Sequence, residues 1–217
     1  MKLVCVTAIC GGYDKIIDVH PRSDDVQYIC FTDNPDLKSD LWEIRPAFNG
    51  FAGRWDANIR NAKHHKVMIH AWVDCEISLW LDSNITLFKP PTQLVEQYLQ
   101  DCDICTFTHW GRQCIYQEAD TCSQLGLDDP EIIRKQMEKY RIEGYPEMNG
   151  LNAGGFILRR HTKEVAEFNR FWWDQINQYS KRDQLSLNYC IWKTGIKMGT
   201  FCPYPGNDFM GIRVHGT

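Results

Sequence analysis

The sequence predicts an α/β protein, a single domain over residues 1–217 with a mainly parallel sheet flanked by helices. Three observations carry that expectation. Short β-branched apolar runs alternate with longer stretches of helical periodicity. Each run stops at Gly, Asp, Asn or Pro, the residues that turn a chain. No internal repeat or low-complexity linker divides the chain, so one unit is expected.

The first run, Leu3 to Ile9, ends at Cys10-Gly11-Gly12-Tyr13-Asp14. The second, Val26 to Thr32, ends at Asp33-Asn34-Pro35. From about Arg54 to Val73 the apolar residues Trp55, Ile59, Ala62, Ile69 and Trp72 recur at helical spacing, which predicts a helix with that face inward. Ile77 to Leu81 is a continuous apolar run too short for a free-standing helix, and it reads as a central strand tipped by Asp82-Ser83-Asn84. Pro90-Pro91 breaks the chain before a helix over Thr92 to Leu99, and a strand follows at Asp103 to Thr108. The polar stretch His109 to Asn149 predicts a helix between Asp129 and Tyr140. Ala153 to Arg159 resumes a strand, Thr162 to Tyr179 is an amphipathic helix with Trp172 inward, and a last helix begins near Asp183, a candidate cap.

Composition narrows the function. Hydrophobic residues at 43% and charged ones at 24% describe an ordinary globular chain. A net charge of −4 argues against a sequence-independent grip on nucleic acid, which needs a basic face. No apolar stretch approaches the roughly 18 residues of a membrane span, and Met1 to Thr7 reads straight into a strand, so a cytoplasmic location is expected. The ten cysteines read as reduced thiols packed as small hydrophobes; four of them, Cys102, Cys105, Cys114 and Cys122, leave a tetrahedral zinc site as an alternative.

In open α/β sheets ligands sit beyond the carboxyl ends of strands. Four such tips here are polar: Tyr13 and Asp14, Asp33 and Asn34, Asp82 to Asn84, and His109. Asp82 and Asn84 offer side-chain oxygens suited to a hard cation such as Mn²⁺ or Mg²⁺, although Asp-x-Asn also forms plain turns. Arg60 and Lys63, three apart on the preceding helix, with Lys66 and the nearby histidines, make a basic patch able to take phosphate. Trp110, beside His109 and Arg112, is a candidate sugar platform.

With these residues assembled, the sequence resembles a family of glycosyltransferase-like proteins of the GT-A (Rossmann-like) fold, related to plant mucilage and cell-wall polysaccharide transferases. The likeness rests on Thr7 to Asp14, Phe31 to Asn34, Arg60-Asn61-Ala62-Lys63, and Trp80 to Asn84. It continues through His109, Arg112, Tyr116, Glu118 and Ala119, and Arg182 to Ser186. It implies a nucleotide-sugar donor with UDP as carrier, a glycan or small-molecule acceptor, and a divalent metal at Asp82 and Asn84, completed by His215 from the C-terminal region. Asn84 stands where the family's metal motif has a second carboxylate. The nucleoside is then expected at Thr7, Ala8, Tyr13 and Asp33, and the donor diphosphate and sugar at Arg60, Lys63, Ser83, Gly154 and Gly155. Acceptor contacts fall to His109, Trp110 and Arg112, and catalytic roles to Asp183, Gln184 and Glu118. Two other functions remain open: a nucleotidyltransferase, against which stands the missing glycine-rich phosphate loop, and a catalytically silent sugar- or nucleotide-binding module.

Overall fold

The computed structural model describes residues 2–201 and 208–215. Its seven-stranded sheet has the order β3-β2-β1-β4-β7-β6-β8. The strands are β1 (Leu3–Ile9), β2 (Val26–Thr32), β3 (Glu43–Pro46), β4 (Ile77–Leu81), β6 (Ile104–Thr108), β7 (Asn152–Arg160) and β8 (Met198–Phe201). A separate antiparallel pair joins β5 (Ile85–Leu87) to β9 (Met210–Ile212). The central strands β1 and β4 bury every residue but one, which is why they read as unbroken apolar runs.

Helices cover both faces of this sheet. Five pack on one side: α1 (Ala57–Val67), α3 (Ile115–Gln124), α4 (Pro130–Ile142), α5 (Lys163–Gln178) and α6 (Gln184–Thr194). Their core holds Ile115, Met137, Phe168, Trp172 and Leu187 against Val4, Ile29 and Trp80 of the sheet. On the other side α2 (Pro91–Tyr98) packs Leu94 and Val95 with Leu79, Phe156 and Met210.

The mainly parallel expectation holds for β3, β2, β1 and β4 and for the β6–β8 pair, while β7 runs antiparallel to both β4 and β6. Reversal has a positional consequence: β7 begins at the edge where β4 ends. Strands β3, β5, β8 and β9 and helix α3 go beyond the elements expected from the sequence. The four strands are three or four residues long, too short for a periodic signal. The helix expected over Arg54 to Val73 is α1 with a single 3₁₀ turn at Ile69–Ala71. Nine described cysteines are free, and among the described residues no three His, Cys, Asp or Glu side chains gather at one point, so the four-cysteine zinc alternative is not assembled.

Candidate active site

A cleft of about 620 Å³ opens beyond the carboxyl ends of β1 and β4, within the range of ordinary ligand sites. Antiparallel β7 brings Gly154 and Gly155 to this edge, where the Asp82 amide donates to the Gly155 carbonyl at 2.8 Å. Helix α1 forms one wall. Its amino end points toward the cleft because its other end must feed the start of β4 on the far edge of the sheet.

The floor of the cleft is a cluster of charges. Lys63 and Lys66, three residues apart on α1, both reach the Asp183 carboxylate at the start of α6; Lys63 bonds Oδ1, and Lys66 lies 2.7 Å from Oδ2. Lys66 also reaches Asp82 Oδ1 at 3.3 Å, and the Trp80 indole donates to that same oxygen at 2.7 Å. Burial alone would raise the Asp183 carboxyl, but the two ammonium groups outweigh it and hold it well below the usual range. Burial pushes Lys63 down to about 8 against the pull of Asp183, with Lys66 and Arg182 adding to the lowering. Lys66 loses to burial as well, yet Asp183 and Asp82 together carry it above its ordinary value.

This cluster explains the glycine pair. A Cβ on Gly154 would sit 2.9 Å from Asp183 Oδ2 and 3.3 Å from Lys66 Nζ, and one on Gly155 would sit 3.0 Å from Asp82 Oδ2. Side chains there would collide with the charged groups. Asp183 begins α6 without using its side chain as a cap, so the capping expectation gives way to the ion pairs.

Around this floor stand most of the other expected residues. Ala8, Tyr13, Ser83 and Asn84 line the cleft, as do Gln184, His109 and Trp110. The Gln184 Nε2 is buried with no hydrogen-bond partner within the protein. The C-terminal segment is tied back: β9 pairs with β5, the Arg213 amide donates to the Asn84 carbonyl at 2.9 Å, and the Asn84 side-chain amide donates to the Arg213 carbonyl at 3.0 Å. Val214 is exposed, while Met210 is buried. His215 reaches the cleft, where its Nδ1 lies 2.7 Å from Asp14 Oδ2 and not against Asp82. Ser83 donates to the same Asp14 oxygen.

Five expected site residues lie elsewhere. Arg60 is buried and turned away from the cleft: it bonds Asp56 Oδ2 at 2.5 Å and the carbonyls of Ile176 and Tyr179 at the end of α5. It joins two helices. Thr7 is buried behind the cleft, and Asp33 spends both carboxylate oxygens on the Gly11 amide at 3.0 and 2.8 Å, holding the loop after β1. Glu118 is buried on α3, pairing with the Arg112 Nε through Oε2 and accepting the Cys122 thiol at Oε1. Arg112 is thereby drawn off the cleft wall and lies behind His109, 3.3 Å from its Nε2.

The donor set bears on a metal. Asp82 is 37% exposed and lines the cleft with Asn84, Asp14 and His215, although no three acid or histidine groups gather at one point among the described residues and Asn84 Nδ2 is committed to Arg213. Lys63, Lys66 and Arg182 are matched in the cleft by Asp14, Asp82 and Asp183, while Asp56 is met by Arg54 and Arg60. A diphosphate entering this balanced site brings negative charge that a divalent cation would offset. These residues fit an open oxygen site, in which phosphate and water complete the coordination of Mg²⁺ or Mn²⁺.

The sequence places Lys66 in the basic patch, Asp14 at a polar strand tip and Arg182 within a family motif, and the structure gives each a position in the cleft. Lys63 and Lys66 share the spacing that puts residues on one helix face.

Comparison with known proteins places the fold. A family model described as TOD1/MUCI70, glycosyltransferase-like domain, matches residues 51–203. The probable hexosyltransferase MUCI70 of Arabidopsis thaliana is 26% identical over 140 residues, 59% of this chain and 24% of that protein, so the chain spans about a quarter of that relative's length. Among solved structures, the galactosyltransferase LgtC, in complex with donor and acceptor sugar analogs, superposes with a TM-score of 0.53 at 15% identity, covering 90% of this chain and 72% of LgtC. The glycosyltransferase GlyE of Streptococcus pneumoniae TIGR4 gives 0.52 at 13%, covering 93% and 45%. The shared fold is the GT-A fold.

Proposed function

The chain belongs to the TOD1/MUCI70 glycosyltransferase-like family, and from that premise we propose that it moves a sugar from a nucleoside diphosphate donor, UDP-linked, to a hydroxyl of a glycan or small-molecule acceptor. The observation that carries this reading is the Lys63–Asp183–Lys66 cluster on the cleft floor beside Asp82. Breaking a glycosidic bond to a diphosphate builds negative charge on the leaving oxygen and positive character on the sugar. Lys63 and Lys66 face the first, as fixed cations that need no reorganisation when charge develops. The Asp183 carboxylate, kept ionised by the same lysines, faces the second. A carboxyl held so far down is a poor proton acceptor near neutral pH, so Asp183 orients and stabilises the sugar and leaves general-base work to another group. Gln184, on the cleft wall beside Asp183, meets a sugar hydroxyl.

Tyr13, at the first strand tip, is the stacking surface for the base, and Gly154 and Gly155 leave room for Asp82, Lys66 and Asp183 to come together under the donor. A divalent metal, held by Asp82 with His215 and Asn84 at the rim, would supply further neutralisation of the departing diphosphate. A silent binding module is the second reading, favoured by the commitment of the Asn84 amide to the Arg213 carbonyl.

One assay separates the readings. The protein is incubated with a panel of nucleotide sugars, and separately with nucleoside triphosphates and sugar 1-phosphates, each with Mn²⁺ or with a chelator, and the products are followed. Release of nucleoside diphosphate that falls with the chelator supports the transferase. Release of pyrophosphate from nucleoside triphosphate would identify a nucleotidyltransferase, and tight donor binding without turnover would identify the silent module.

A further inference from the structure

Two tryptophans on the walls of the cleft are more exposed than their size warrants: Trp55, ahead of α1, at 75% and Trp110, after β6, at 69%. Large aromatic surface left in water is unfavourable unless something covers it. Both rings are also held in place, and by parallel devices. The Lys181 ammonium sits 3.9 Å from the centroid of Trp55, against one face of the ring. Lys181 is buried and paired with buried Asp128 at 2.9 Å, and Asp128 in turn accepts from the Ser180 hydroxyl at 2.7 Å. On the other wall Trp110 stacks near-parallel on His109, at 5.9 Å and 14°. His109 is fixed through Nδ1, which accepts from the Gly111 and Arg112 amides at 3.1 and 3.0 Å, and the Arg112 guanidinium behind it pairs with buried Glu118.

On one wall a buried carboxylate and a cation back the exposed indole directly; on the other a buried carboxylate and a cation back His109, and the imidazole backs the indole. Burying ion pairs is costly, and a solvent-covered tryptophan has no need of such a support. A ring backed on one face and open on the other is a platform. Its open face is electron-rich and apolar, which suits the C–H face of a pyranose, whose hydroxyls radiate outward at the edge.

We propose that Trp55 and Trp110 are the acceptor platforms of this cleft, and that the acceptor is an oligosaccharide chain of more than one sugar unit. The inference rests on the transferase reading above and adds to it the class of acceptor and a contact, Trp55, that no family motif supplies. Lys181 and Arg112 act as positioning residues, setting the angle of the rings without touching the sugar.

The test uses the full chain and two titrations by calorimetry: UDP with Mn²⁺, and then, on the UDP-loaded protein, neutral hexasaccharides of glucose, galactose and mannose beside their monosaccharides. The parent should bind at least one hexasaccharide more tightly than its monosaccharide. Trp55→Ala and Trp110→Ala should each weaken that binding about tenfold, the order of one lost aromatic contact, and should leave UDP affinity within about twofold. Trp55→Phe should recover part of the loss, which a folding defect would not do. Lys181→Met should weaken the hexasaccharide less than Trp55→Ala. A parent that binds UDP but no hexasaccharide overturns the proposal and leaves the donor reading standing. A Trp55→Ala protein that loses UDP and keeps the sugar chain makes Trp55 a base-stacking residue and overturns it equally. A parent that binds no UDP removes the transferase reading itself.

Discussion

Helices α1 and α5 pack against one another on the same face of the sheet, yet they are built on opposite plans. Helix α5 buries Val165, Phe168, Trp172 and Ile176 in one stripe, begins with a Thr162 cap that accepts from Val165, and keeps its charges outside. Helix α1 buries Arg60, Asn61, His65 and Lys66, leaves Trp55 and Ile59 at its amino end exposed, and has no side-chain cap. One is stabilised by apolar area removed from water, the other by ion pairs and hydrogen bonds in which each buried polar group needs a named partner. A helix that inverts the usual pattern at such a cost marks the wall that faces a ligand.

The sharpest way to break the comparison is to damage each helix in its own currency. Phe168→Ala on α5 empties a fully buried site and should cost about 3–5 kcal/mol in urea unfolding, with donor affinity of the remaining folded protein unchanged. A loss of donor affinity without a loss of stability would mean that α5 is part of the site.

Asp183→Asn, at the partner end of the α1 cluster, should cut turnover at least about a hundredfold, on the scale of losing one group preorganised for the transition state. Circular dichroism should show the helix content kept, because the side chain makes no cap bond. Retained turnover would return Asp183 to a structural role.

The Lys63 ammonium gives a smaller, pH-dependent effect. Burial lowers its pKa to about 8, so the proton leaves as pH rises through that value and the charge available to phosphate goes with it. The ratio kcat/KM should therefore fall above about pH 8, and Lys63→Arg, which stays charged, should move that limb upward. An identical alkaline limb in both proteins would remove Lys63 from donor binding. Smallest of all, Ile59→Ser on the exposed flank of α1 should change stability by no more than about 0.5 kcal/mol, whereas an inward apolar face would lose several times that.

The same contrast separates what was legible in the sequence from what was not. Helix α5, strands β1, β2 and β4 and the glycine pair before Phe156 announce themselves through periodicity, because burial of apolar area is what positions them. The strand tips likewise point to the cleft, and Asp82, Lys63, Asp183 and Gln184 meet there as expected. Helix α1 misleads for a physical reason: its apolar residues at helical spacing suggest an inward face, but the partners that bury Arg60 and Lys66 come from Asp56, Ile176, Tyr179, Asp82 and Asp183, up to 119 residues away in sequence. Spacing within α1 can say that Arg60 and Lys63 are neighbours; only the tertiary partners decide that one faces α5 and the other the cleft. The same holds for Glu118 and Arg112, whose motif is real and whose place is behind His109.

The central claim is that the two cations of α1 nearest the cleft floor seat a donor diphosphate while their neighbour Arg60 only joins helices. Calorimetric titration of UDP with Mn²⁺ into the parent, Lys63→Ala and Arg60→Met tests it most directly. Lys63→Ala should weaken binding about tenfold, the order of one charge-assisted hydrogen bond, and Arg60→Met should lower the unfolding midpoint while UDP affinity stays within about twofold. Unchanged affinity in Lys63→Ala, or a loss of UDP binding in a fully folded Arg60→Met protein, would contradict the account.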